Sequence, residues 1–149
     1  MFKGRSKHTL DAKGRLSIPA RFKQVLAEKG ETSLVITNYG SEDDVCLCAY
    51  TTSEWAIKEK KALRLPENNA AARNYLRYFI SGAVECPVKQ GRINIPPDLR
   101  EIAGLRKDVV VVGQLKKFEI WDRDKWELVF KRAQKEFKES SEALSEFGI

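Results

Sequence analysis

The sequence predicts an α+β fold in which two tandem repeats share one core, and three observations carry that prediction. First, DAKGRLSIPARF (residues 11–22) returns as KQGRINIPPDLR (residues 89–100), so that G-R-x-x-I-P recurs at an offset of 77. Second, each copy alternates apolar and polar residues up to a proline and then changes to helical spacing. Third, a unit of roughly 45 residues retains too little core to be stable alone, so the two units are expected to complete each other.

The elements follow in order. A basic strand carrying Lys3, Arg5, Lys7 and His8 leads into a turn with Asp11 and Gly14. Glycine supplies positive φ there without steric cost, and the Asp11 carboxylate can bond the turn amides. The next strand turns Leu16 and Ile18 inward and Arg15 and Ser17 outward, as Ile93 and Ile95 oppose Arg92 and Asn94 after Gly91 in the second copy. Proline then opens a short helix. Phe22, Val25 and Leu26 line its face in the first copy, which stops at Gly30; Leu99, Ile102 and Ala103 line it in the second, which stops at Gly104.

Beyond the helices the likeness continues at an offset of 71, with CLCAYTTSEW over FEIWDRDKW and Trp55 over Trp126. LVIT and VVVV read as the strands before these. The predicted organisation is a first repeat at 1–55, a helical connection at 56–82, a second repeat at 83–126 and one long C-terminal amphipathic helix at 127–149. The aromatic faces of the added helices (Tyr75 and Phe79; Trp126, Phe130 and Phe137) read as core or subunit contact rather than as a cofactor pocket.

Composition narrows the function. Hydrophobic residues are 42% and charged residues 32% of 149, a globular balance, and no apolar run reaches the length of a membrane span, so a soluble cytoplasmic protein is expected. Cys46 and Cys48 share a strand face, but with Cys86 they lack paired C-x-x-C spacing, and His8 is the single histidine. They read as structural thiols, with no metal and no cofactor. With no nucleophile–base pair and no phosphate loop of Walker or Rossmann form, neither an enzyme nor a small-molecule substrate is expected.

Charge placement is more telling. Residues 1–23 hold Lys3, Arg5, Lys7, Lys13, Arg15, Arg21 and Lys23 against Asp11 alone, which equals the whole net charge of +6. Such a localised field is the footprint of a polyanion binder. Double-stranded DNA leads. No basic amphipathic helix accompanies the charge to favour a membrane, and exposed aromatics for stacking single-stranded RNA are lacking.

Lys3, Arg5, Lys7 and Lys13 are suited to phosphate, and Arg21 and Lys23 reach it from the helix start. His8 either touches DNA or faces solvent. Arg15 and Arg92, at the rims of glycine turns, each have two readings: a planar fork for guanine in the major groove, or an ion pair that pins the turn, with Asp11 for instance. Local charge tips Arg15 towards DNA and leaves Arg92 open.

At these residues the chain resembles the MraZ family of tandem SpoVT-AbrB domains. The resemblance is carried by the MFKG start, D-x-x-G-R-x-x-x-P in the first half, VGQLKKFEIW, and the matched Trp55 and Trp126. It implies a swapped-hairpin β-barrel formed by both repeats, a ring-shaped homo-oligomer, a nucleoid-associated location, and DNA-binding control of the bacterial division and cell-wall gene cluster. An antitoxin-like module that binds a protein as well as DNA is the alternative. One departure stands out: Val88 falls opposite Asp11, so the second copy reads V-K-Q-G-R, an arrangement that leaves open a residue deleted between Cys86 and Gly91. The second turn must be held differently or matter less, and the first copy is expected to be the DNA-facing one.

Overall fold

The computed structural model describes all residues, Met1–Ile149. Strands β1 (Arg5–Thr9) and β2 (Arg15–Ser17) precede helix α1 (Ala20–Glu28); β3 (Ser33–Tyr39), β4 (Cys46–Thr51) and α2 (Thr52–Ala62) complete the first unit. A connection follows, made of α3 (Ala70–Tyr75) continued by a π-helical turn, Leu76–Ile80. The second unit repeats the order: β5 (Val84–Pro87), β6 (Arg92–Asn94), α4 (Pro97–Ile102), β7 (Asp108–Gln114), β8 (Lys117–Asp122) and α5 (Arg123–Lys135). Helix α6 (Phe137–Ala143) and a 3-10 turn, Ser145–Phe147, end the chain.

The fold is α+β with every strand pair antiparallel. Six strands form one sheet in the order β1-β7-β8-β4-β3-β5, and β2 pairs with β6 in a separate two-stranded ribbon. The order is palindromic under exchange of repeats. Each repeat contributes a hairpin (β3–β4 or β7–β8), the hairpins meet along β4–β8, and each repeat's first strand crosses to the other's hairpin. The expected barrel closure is not seen, because β1 and β5 remain the two edges of the six-stranded sheet.

Burial follows the alternation in the sequence. One face of the sheet, with α1, α4 and the ribbon, encloses Leu16, Ile18, Phe22, Leu34, Ile36, Ile93, Ile95, Leu99, Val109, Val111 and Ile120. Phe2, Phe22 and Phe118 form an aromatic cluster there, with centroids 5.1–5.2 Å apart. The other face holds Val35, Cys46, Cys48, Tyr50, Val110, Val112 and Trp121 under Trp55 and Phe79. Equivalent positions of the two repeats thus fill equivalent places.

Two expectations need correction. Ile102 is 49% exposed, because α4 turns the i, i+4 pair Leu99 and Ala103 inward and places Ile102 on the flank. The C-terminal helix is not continuous. Glu136 leaves helical geometry at φ −92°, ψ 2°, and α6, without a buried residue, lacks the packing that would hold it in line with α5.

Candidate nucleic-acid interface

The two glycine turns are built differently, and the sequence explains why. In the first, the Gly14 amide donates to the Asp11 carbonyl at 3.0 Å and the Asp11 amide to the Arg15 carbonyl at 3.3 Å, a three-residue loop with Gly14 at φ +80°. The Asp11 carboxylate accepts from the amides of Lys13 (3.0 Å) and Arg15 (2.9 Å). Those bonds, the Arg15 amide first, hold the Asp11 carboxyl below the usual carboxylate range. The second turn is one residue shorter. Lys89 and Arg92 exchange amide–carbonyl bonds of 2.9 and 3.0 Å around Gln90 (φ +54°) and Gly91 (φ +73°), a two-residue turn that satisfies its own backbone. Lys89 thus takes the structural place of Asp11, and a turn of this length needs no carboxylate there.

Both turns feed one ribbon. Arg15 stands opposite Asn94, Leu16 opposite Ile93, and Ser17 opposite Arg92. Leu16 and Ile93 are buried, so Arg15, Ser17, Arg92 and Asn94 share the outer face. The repeats also brace each other: the Ile18 amide donates to the Gly91 carbonyl (2.9 Å) and the Ile95 amide to the Gly14 carbonyl (3.0 Å). Helix residues cross in the same way. The Arg100 guanidinium lies over Gly14, where a Cβ would sit 2.6 Å from it, and the Lys23 side chain lies over Gly91. Arg100 Nε donates to the Ile95 carbonyl at 3.1 Å.

Arg15 makes the ion pair of its structural reading without being used up by it. Its Nε donates to Asp11 Oδ2 at 2.5 Å, yet the side chain remains 39% exposed. The ion pair uses the inner edge of the guanidinium and leaves the two terminal nitrogens for a planar acceptor. Lys13, Lys23, Lys89, Arg92 and Arg100 have no carboxylate within 4 Å. Six cations therefore surround one short ribbon, three from each repeat.

The other predicted contacts are distributed elsewhere. Along β1, Arg5 and Lys7 pair with Val112 and Val110 and face the α5 side of the sheet. The Arg5 guanidinium sits 4.6 Å from the Phe130 ring centroid, and Lys7 lines a groove with Arg123, Trp126 and Lys131. Ser6 and His8 turn to the opposite side, joined by a 2.8 Å hydrogen bond, and burial pushes the His8 imidazole below its ordinary value. The Arg21 guanidinium covers Gly4 beside the N-terminal strand, and Lys3 is exposed next to Gly113 of β7.

Sequence reasoning missed Lys89 and Arg100, whose chain neighbours include Glu85, Asp98 and Glu101; in space Arg100 lies over Gly14 of the first repeat's turn, and Lys89 sits in the Gly91 turn over which the first repeat's Lys23 lies. The pattern did contain a signal. Arg100 lies 77 residues after Lys23, so the repeat offset pairs two cations at one structural position.

Comparison with known proteins agrees with the internal duplication. The family model described as "MraZ protein, putative antitoxin-like" matches twice, over residues 1–78 and 79–147. Relatives cover the whole of both chains: one from Ligilactobacillus salivarius at 44% identity over 150 positions, one from Halothermothrix orenii at 40% and one from Natranaerobius thermophilus at 37%. Each of the three is named "Transcriptional regulator MraZ". With both halves matched by the family model and full-length identity well above 30%, the chain belongs to the MraZ family.

Proposed function

We propose that this protein is a sequence-specific DNA-binding transcriptional regulator that reads duplex DNA with the β2–β6 ribbon. The observation that carries the reading is the shared outer face of Arg15 and Arg92, ringed by Lys13, Lys23, Lys89 and Arg100. A two-stranded ribbon fits the major groove, where a terminal guanidinium fork matches guanine O6 and N7. The lysines supply phosphate contacts, which release counterions and set affinity without sequence preference. Arg5, Lys7 and Lys3 extend the positive field along the N-terminal strand, and Arg21 adds charge at Gly4.

In this reading the repeats form the family's swapped-hairpin unit, which the crossing of β1 and β5 between hairpins supports. Copies assemble into a ring through the exposed apolar side chains of the C-terminal helices, Leu128, Phe137 and Phe147 among them. A ring presents several identical ribbons to repeated promoter elements, which raises the effective concentration of each later contact. The target is the bacterial division and cell-wall gene cluster that the family controls, and the protein acts on the nucleoid. The test is a mobility shift on the protein's own upstream region at two salt concentrations. Arg15→Ala abolishes the preference for that duplex over a scrambled one, whereas Lys3→Ala weakens both equally; equal losses in the two variants would remove Arg15 as a base reader.

A further inference from the structure

The interior of the sheet holds a group of side chains that DNA binding does not use. Cys46 and Cys48, two residues apart on β4, turn to the same face, and Glu119 of β8 stands directly opposite Cys48. The two Sγ atoms and a Glu119 oxygen all lie within 4.8 Å of one another, and all three residues are buried. The geometry points to a binding site for one thiophilic divalent cation of the zinc class, with Cys46 and Cys48 of the first repeat and Glu119 of the second as its ligands.

Zinc takes sulfur at about 2.3 Å and carboxylate oxygen at about 2.0–2.2 Å in a tetrahedron, whose edges are then roughly 3.3–3.8 Å. A cluster within 4.8 Å needs only small side-chain adjustments to reach them. The carboxylate is already oriented: Trp121 Nε1 and Gln114 Nε2 each donate to Glu119 Oε1 at 2.9 Å, which leaves Oε2 towards the cluster side of Lys117. Such outer partners fix a ligand's direction in metal sites. Lys117 supplies the present positive charge, with Nζ 3.5 Å from Cys48 Sγ and 3.9 Å from Glu119 Oε2. With this ammonium displaced, two thiolates and a carboxylate total −3, of which a divalent cation cancels two. Lys117 also provides the entry path. Its side chain is 20% exposed and lines, with Tyr39, Tyr50 and Gln114, a groove of about 510 Å³, so that its displacement opens the cluster to solvent and leaves the fourth position to water.

A disulfide is the poorer use of the pair. Residues two apart on an extended strand have Cα atoms near the upper limit of about 6.8 Å for a disulfide, and β4 is locked by ladders on both sides.

The test titrates the reduced, chelator-stripped full-length protein with Cd²⁺ and Zn²⁺. Expected are a thiolate-to-Cd²⁺ charge-transfer band saturating at one ion per chain and a rise in Tm with Zn²⁺ but not Mg²⁺. Cys46→Ser and Cys48→Ser each weaken binding about tenfold or more, Glu119→Gln weakens it with the circular dichroism spectrum unchanged, and Cys86→Ser leaves it intact. No band and no Tm rise in the wild-type protein overturns the site whatever the variants do. So does a band that survives both Cys46→Ser and Cys48→Ser, or one that Cys86→Ser removes.

Discussion

In the proposed reading, Arg15 is a structural and a DNA-contacting arginine at once. Asp11 bonds two turn amides and the inner edge of the guanidinium, so the carboxylate that neutralises part of the charge also aims the remaining fork. This gives a prediction whose sign separates geometry from charge counting. Asp11→Ala removes a negative charge from a polyanion-binding face, yet it lowers specific DNA affinity and lowers stability through the lost turn bonds; fluorescence anisotropy on matched duplex and urea unfolding report the two effects. Tighter specific binding by the variant would mean that Asp11 acts only as a charge. His8 makes a second case. Its folded-state value lies below the ordinary 6.5, so its neutral form is favoured by folding, and the stability it contributes is present above 6.5 and declines as pH falls towards the lowered value. His8→Gln removes that part of the decline in unfolding free energy between pH 7 and the acid range, as denaturant titrations at several pH values will show.

At the scale of elements, the strand–turn–strand–helix order of both repeats was legible because alternation, glycine, proline and helical spacing occur in the same sequence in each. Asp11 was legible as a turn cap for the same local reason. The build of the second turn was not, since Val88 opposite Asp11 in the sequence looks like a loss until the shorter loop is seen to put Lys89 in that place and to close on itself through Lys89 and Arg92. The pairing of β2 with β6 was equally hidden: it joins residues far apart in the chain, such as Leu16 and Ile93, and nothing within either strand of three residues names its partner. Charge counted along the chain therefore assigned the cationic face to the first repeat, whereas the ribbon brings Arg92, Lys89 and Arg100 to the same place. Salt dependence measures how many of them touch phosphate. Arg100→Ala and Lys89→Ala are each expected to reduce the slope of log affinity against log salt by about 1 and to weaken matched and scrambled duplexes alike. The C-terminal helices show the opposite limit: helical periodicity predicted one long element, but α6 buries no residue and the element breaks at Glu136.

For the whole molecule, the consequence of the palindromic strand order is that neither repeat owns a complete sheet. β1 is held by β7, β5 by β3, and the ribbon takes one strand from each half. A fragment of residues 1–82 is thus expected to lack a cooperative thermal transition, because it leaves β1 and β2 without partners and exposes Leu16, Ile18 and Phe22; calorimetry of the fragment against the full chain checks this. A cooperative melt would show that the first repeat is an independent domain. The central claim of the proposed function is that the duplication that stabilises the fold also doubles the reading surface. It is tested most directly by measuring the affinity of Arg92→Ala, beside Arg15→Ala and the wild type, for matched and scrambled duplexes at one salt concentration. The account predicts that Arg92→Ala, like Arg15→Ala, loses about 1–3 kcal/mol on the matched duplex and far less on the scrambled one. An Arg92→Ala protein that binds both duplexes as the wild type does, while Arg15→Ala fails, would contradict it.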